Sequence, residues 1–281
     1  MNEQVGRAVS NADELARAGV SQPPAALTVG LAEAICARPR MEDRHAVSVG
    51  PDGVTVVAVF DGHGGSRVAE AAAGRVVDVV ASSVKRDPRF QGNAWAQIFG
   101  ALDTPAPSEG STATVLCFVS PMLHVAHVGD SRALLVRPAA HLRLTPDHRE
   151  ETPGERARVL AAGGEFRDGY VVDLRHPHRG LMVTRALGDK ELEPAGVIAT
   201  PEITAVHTNG ALGFVLATDG LWDVLGPTAD AFVARALRRS VSDGSNATTL
   251  AEWLVALVAD RGGRDNVTVA VGLFANRSLI G

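Results

Sequence analysis

Aspartates recur where apolar runs end or begin. The run "VTVVAVF" passes into Asp61-Gly62 and then His63, "GFVLAT" passes into Asp219-Gly220, and Asp265-Asn266 opens "VTVAVGLF". A strand end is a rigid place from which to aim a short carboxylate. Several carboxylates aimed at one point repel each other and resist ionisation unless a cation lies between them. Mg²⁺ and Mn²⁺ suit such hard oxygen sites and usually keep several waters. Two such ions about 3.5–4 Å apart can hold a bridging hydroxide and neutralise phosphoryl oxygens during in-line displacement. That chemistry needs no Ser or Cys nucleophile, and the chain has no G-x-S-x-G and no Cys–His pair in a nucleophile's context. Singly, each Asp-Gly is a plain turn sooner than a ligand, and a lone His63 is a loop histidine. The combination shifts the weight.

Strands must carry these groups. Residues 54–60, 113–119, 123–128, 133–137, 213–218 and 267–274 are rich in aliphatic and β-branched side chains and read as strands. "AHVGDSRALLV" reads as a hairpin, with Gly129-Asp130 as its tight turn. Apolar residues at helical spacing predict helices over 66–84, 155–162, 228–239 and 247–259. This order fits an α+β layered domain rather than a doubly wound parallel sheet. Residues 1–29 read as an N-terminal extension, 30–275 as a single domain and 276–281 as a tail.

Composition narrows the classes further. Hydrophobic residues make up 46% and charged residues 21%, which fits a globular chain and not a disordered one. The net charge of −5 argues against broad binding of nucleic-acid backbones, while a small anionic substrate needs only a local arginine or a metal ion. No apolar stretch approaches the length of a membrane span, and the N-terminus has no apolar signal core. Cys36 and Cys117 form no C-x-x-C pair, and Cys117 lies within "ATVLCFV" as a small hydrophobe. The expectation is a soluble cytoplasmic or nuclear monomer with no nucleic-acid or membrane partner.

"RPRMEDRH", "VFDGHGG", "GSTAT", "VGDSRALL", "LTPDH", "TRALGD", "ATDGLWDVL" and "RDNVTV" follow one another between Arg38 and Val269. Together they resemble the successive motifs of the type 2C metal-dependent protein phosphatases, in the same order. The resemblance implies a four-layer α/β/β/α sandwich, two central antiparallel sheets flanked by helices, with a two-metal Mg²⁺ or Mn²⁺ centre at one edge. It implies that Asp61 bridges both ions and the Gly62 carbonyl binds one of them, with Asp219 and Asp265 completing the other. Glu42 and Asp43 hold waters of the ions, and Asp147 and Asp223 join Asp219 in a third, weaker metal site. On the residues alone, Asp147 serves equally as a loop brace and Asp223 as a helix N-terminal acid.

His63 can then donate a proton to the departing Ser or Thr oxygen, since an imidazole titrates near neutrality. Arg38 grips the phosphate through its planar fork. Asp130, Ser131, Arg132, Thr184, Arg185 and Asp189 match the family and are expected to support the ligands, with Asn266 fixing the turn that carries Asp265. The implied function is hydrolysis of phosphoserine and phosphothreonine in protein substrates. The alternatives are a pseudophosphatase that only binds partners and a phosphoesterase for small phosphates.

The chain departs from the family's pattern in places. Residues 85–109 offer less helix than the family usually has there, and Glu150 follows "LTPDHR" where a basic residue or proline is common. Segment 165–180 matches the variable flap beside the site. Its Arg175, His176, His178 and Arg179 read either as a lure for acidic phosphopeptides or as a solvated basic loop. It lacks the tryptophan that marks plant hormone co-receptors of the family.

Overall fold

The computed structural model describes residues 27–50, 53–87, 89–90 and 93–275. Residues 1–26 and 276–281 lie outside it, so most of the expected extension and the whole expected tail go undescribed. The first strand, β1 (Leu27–Ala34), begins ahead of the boundary expected at residue 30 and pairs with the last, β16 (Val267–Phe274), along its whole length.

Two five-stranded antiparallel sheets form the centre. One has the order β1, β16, β15 (Gly213–Ala217), β8 (Arg132–Val136), β9 (His141–Arg143). The other runs β14 (Glu202–His207), β7 (Met122–Val128), β6 (Ala113–Val119), β3 (Val54–Phe60), β2 (Arg44–Val49). Because strand side chains alternate between faces, β3 feeds two cores at once. Val57 and Val59 pack between the sheets with Leu116, Leu135 and Phe214. Val56, Ala58 and Phe60 face the other way, against α1 (Arg67–Arg86) and α2 (Ala94–Leu102). A strand buried on both faces reads as an unbroken apolar run, which is why 54–60 was visible in the sequence.

The opposite sheet is covered in the same manner by α4 (Asp219–Leu225), α5 (Ala229–Ser242) and α6 (Ala247–Asp260), with Trp222, Leu237 and Leu254 against Val269 and Val271. This is the four-layer sandwich expected from the sequence. In α1, Val68, Ala72, Val76 and Val80 give the buried face, while Glu70 in the first turn and Lys85 and Arg86 in the last complement the helix dipole. Asn246 caps α6 by accepting the Thr249 N–H at 2.8 Å. Among the described residues no helix is long and apolar enough to cross a membrane. Burial pushes the Cys117 thiol up to about 12, in keeping with a small hydrophobe.

The expected hairpin at Gly129-Asp130 is not one. β7 bonds to β6 and β14 in one sheet, and β8 to β15 and β9 in the other, so Gly129–Ser131 carries the chain between sheets. Both strands place apolar side chains in the inter-sheet core, Leu123 and Val125 from one and Ala133 and Leu135 from the other. Burying those faces against each other excludes pairing edge to edge.

Smaller elements lie beside the sandwich. α3 (Pro153–Ala161) precedes a three-stranded sheet of β10 (Glu165–Arg167), β11 (Tyr170–Val172) and β12 (Gly180–Leu181). A second three-stranded sheet joins β13 (Leu187–Gly188), β5 (Gly110–Ser111) and β4 (Gly62–His63).

Candidate metal centre

Strand register brings the expected residues to one end of the sandwich. Arg44 opposes Phe60, so the start of β2 lies beside the end of β3 and Asp43 neighbours Asp61. In the other sheet Ala217 opposes both Val269 and Arg132, so Asp219, Asp265 and Asp130 gather at the same end. Asp43 ties the two sheets together. Its Oδ2 accepts hydrogen bonds from Thr218 Oγ1 at 2.9 Å and Thr268 Oγ1 at 2.8 Å, while its Oδ1 is buried without a partner.

Asp61 is braced through its backbone. Its N–H donates to Thr112 Oγ1 at 3.1 Å and its carbonyl accepts the Thr112 N–H at 2.9 Å. Gly62 is required for close approach, because a Cβ there would lie 2.5 Å from the Glu42 carbonyl oxygen. Asn266 clamps the loop that bears Arg38 and Glu42. It accepts the Glu42 N–H at 2.8 Å and donates to the carbonyls of Ile35 at 3.0 Å and Arg40 at 3.1 Å.

The charge in this cluster is unbalanced. Burial, and after it the charges of Asp219, Asp43 and Asp130, push the Asp61 carboxyl well above the ordinary carboxylate range. Burial together with the charges of Asp130 and Asp223 pushes Asp219 up to about 8. Burial lifts Asp43 to about 6 against its two threonine hydrogen bonds. Such groups ionise readily only beside positive charge.

The chain supplies some of that charge itself. Arg149 reaches Asp130 at 2.6 Å, Asp219 at 3.5 Å and Asp223 at 3.5 Å. Arg38 meets Asp265 at 2.6 Å, with both side chains partly open to solvent. Asp147 is held in a fork by Arg132 at 2.9 and 2.6 Å. Asp223 lies on α4 with its side chain half exposed.

These donors fit a hard divalent cation. All are oxygens, one is an orphaned buried carboxylate oxygen, and like charges crowd together. Among the described residues no three His, Cys, Asp or Glu side chains close into a ready cage. An ion held here would therefore complete its shell with a backbone carbonyl such as that of Gly62 and with water.

His63 sits beside the cluster on β4, and its Nε2 lies 2.5 Å from Asp189 Oδ2. The flap's arginines are spoken for: Arg175 forks onto Asp173 at 2.9 and 2.7 Å, and Arg179 bonds Asp189 and Glu191. His176 and His178 are exposed.

Sequence reasoning overlooked Arg149 and the contact of Asp189 with His63. Their partners lie 19 to 126 residues away, so no local pattern signals them. The one available hint was the surplus of acids, which calls for an arginine somewhere.

Comparison with known proteins bears on the family and the fold. The profile of the family "Protein phosphatase 2C" matches residues 31–267. "Probable protein phosphatase 2C 8" of Oryza sativa subsp. japonica is 36% identical over 253 residues, covering 76% of this chain and 61% of that protein. "Probable protein phosphatase 1N" of Mus musculus is 34% identical over 260 residues, covering 84% of this chain and 62% of that protein. The chain thus spans about three fifths of the length of these relatives. Among solved structures, a serine-threonine phosphatase 2C from Toxoplasma gondii has a TM-score of 0.73 at 24% identity, covering 91% of this chain and 96% of that one. A sex determining protein of C. elegans has the same TM-score, 0.73, also at 24% identity, covering 95% of this chain and 71% of that one. On its sequence and its fold, the chain belongs to the protein phosphatase 2C family.

Proposed function

We propose that this chain is a Mg²⁺- or Mn²⁺-dependent phosphatase acting on phosphoserine and phosphothreonine in proteins. The observation that carries the reading is the pair Asp61 and Asp219, crowded together at the meeting end of two sheets with a histidine one residue beyond Gly62. Asp61, the Gly62 carbonyl, Asp219 and Asp265 would hold two ions, with Glu42 and Asp43 bonding the waters around them. Bound ions would supply an activated water and neutralise the phosphoryl oxygens. Asp219 and Asp223, on one helix and sharing Arg149, are the nucleus of a third, weaker site that Asp147 joins once released from Arg132.

The chain's own side chains do the rest. Arg38 has only a half-exposed tie to Asp265, so its fork can turn to a phosphate once Asp265 is engaged elsewhere. His63 protonates the departing oxygen, a contribution of about 10²–10⁴-fold. The free thiols of Cys36 and Cys117 fit a reducing compartment, cytoplasm or nucleus.

The test is turnover of a phosphothreonine peptide by the full chain with Mn²⁺ and again with EDTA. Hydrolysis that stops with EDTA is expected, and metal-independent turnover would overturn the mechanism. His63→Gln should lower turnover while leaving Mn²⁺ affinity, read by calorimetry, nearly intact.

A further inference from the structure

The sheet of β4, β5 and β13 is two residues deep, and it puts His63, Gly110 and Gly188 in one row. At the end of that row Asp189, 0% exposed, approaches His63 Nε2 at 2.5 Å. A carboxylate accepts hydrogen bonds and cannot donate them. Nε2 therefore carries the hydrogen of this contact. Nδ1 has no hydrogen-bond partner among the described residues, and the ring keeps 27% of its side chain open.

Asp189 is fixed from several sides. Its N–H donates to the Glu109 carbonyl at 3.0 Å, and its Oδ1 accepts from Arg179 Nη2 at 3.1 Å. Arg179 is held in turn by Glu191 at 3.2 Å, which ties the flap to this point. Gly110 leaves the space for the pair. A Cβ there would lie 1.9 Å from Asp189 Oδ2 and 2.4 Å from His63 Nε2.

We propose that Asp189 is the positioning residue of the proton donor: it grips His63 through Nε2 and so makes Nδ1 the atom that protonates the departing serine or threonine oxygen. This rests on the reading of His63 as general acid given above. Hydroxide oxygen forms the new P–O bond as the bond to the departing oxygen breaks with its electron pair. The proton on Nδ1 of the imidazolium moves to that oxygen. The neutral imidazole keeps its Nε2–H on Asp189, and water returns a proton to Nδ1. Arg179 braces the far oxygen of Asp189, so the flap helps to aim the ring.

A leaving group that needs no proton separates this role from a merely structural one. With Mn²⁺, wild type, Asp189→Asn and the double variant with His63→Gln are compared on a phosphothreonine peptide and on p-nitrophenyl phosphate. The peptide-to-nitrophenyl rate ratio should fall about tenfold or more in Asp189→Asn, and Asp189→Asn should add little once His63 is Gln. An equal fall on both esters, or fully multiplicative variants, would overturn the proposal. A second measurement needs no turnover. Nitrogen-15 NMR of neutral His63 in the metal-free wild type should show the proton on Nε2, and a proton on Nδ1 instead would sink the idea. Should the wild type hydrolyse neither ester, the proposed function falls, and the NMR result alone decides the positioning.

Discussion

Buried carboxylates cluster at the sheet ends and around Glu155, and the two places treat the charge in opposite ways. At the sheet ends Asp61, Asp219, Asp43 and Asp130 face one another, and Asp219 is pushed up to about 8. In the first turn of α3, Glu155 is 4% exposed yet lies low, at about 2. Burial would raise it, but hydrogen bonds from Arg185 at 2.6 Å and Thr184 at 2.5 Å, with Arg158 beside them, outweigh that. Glu155 finds its cations within the chain, whereas Asp61 and Asp219 mostly find each other. A saturated buried acid is a fastening. An unsaturated group of acids gains stability when a cation arrives, which is what a metal site requires.

Removing the fastening should have the largest effect. Glu155→Ala leaves Arg185 and Arg158 without their shared anion and should cost about 3–5 kcal/mol in urea unfolding. A loss below about 1 kcal/mol would remove the contrast between the clusters. The same contact sets an acid limb. Glu155 titrates near 4.5 when free and at about 2 in the fold. Its folded value is depressed, so its stabilisation is complete above pH 4.5 and is lost as pH falls towards 2, about 3 kcal/mol in all. In Glu155→Gln that stretch of the stability curve should flatten, and an unchanged slope would assign the limb to other acids.

The two clusters also differ in how far the sequence disclosed them. Asp61, Asp219 and Asp265 were legible because each adjoins a strand buried on both faces, and an unbroken apolar run announces its own end. Glu155, Arg149 and Asp189 were not, since their roles come from partners brought in by the fold. The fold divides similarly. β3, β6, β15 and β16 were visible as apolar runs. The edge strands β2 and β14, half-buried with alternating exposure, gave no such run. The link at Gly129-Asp130 was misread because a tight turn looks alike whether its strands pair or part to different sheets. Which occurs depends on β14 and β15, residues 202–217, far along the chain.

Between the clusters, Gly110 tests how tightly the His63 side is built. Gly110→Ala drives a methyl into the Asp189–His63 contact and should cost about 1–3 kcal/mol, with loss of phosphopeptide turnover. Retained turnover at wild-type rates would show that the row is slack. Asp219→Asn should act in the other direction on the metal-free protein. It relieves crowding and should raise stability by about 1 kcal/mol, as a higher melting temperature. Mn²⁺ should then stabilise the wild type and not the variant, by mass action on the folded state alone. Equal stabilisation of both would place the ion elsewhere.

The smallest expected effect is also the finest test of the contrast. Asp223 shares Arg149 with Asp130 and Asp219, but its side chain is 54% exposed and its contact is 3.5 Å long. Exposed pairs of this kind contribute little. Asp223→Ala should therefore change the stability of the metal-free protein by less than about 0.5 kcal/mol, although the residue belongs to the acid cluster by position. If Asp223 serves a weak third ion, a Mn²⁺ titration by calorimetry should lose its weakest phase in this variant and keep the tighter ones. A large destabilisation would instead make Asp223 a fastening like Glu155, and exposure would no longer separate the acids that hold the fold from those that await a cation.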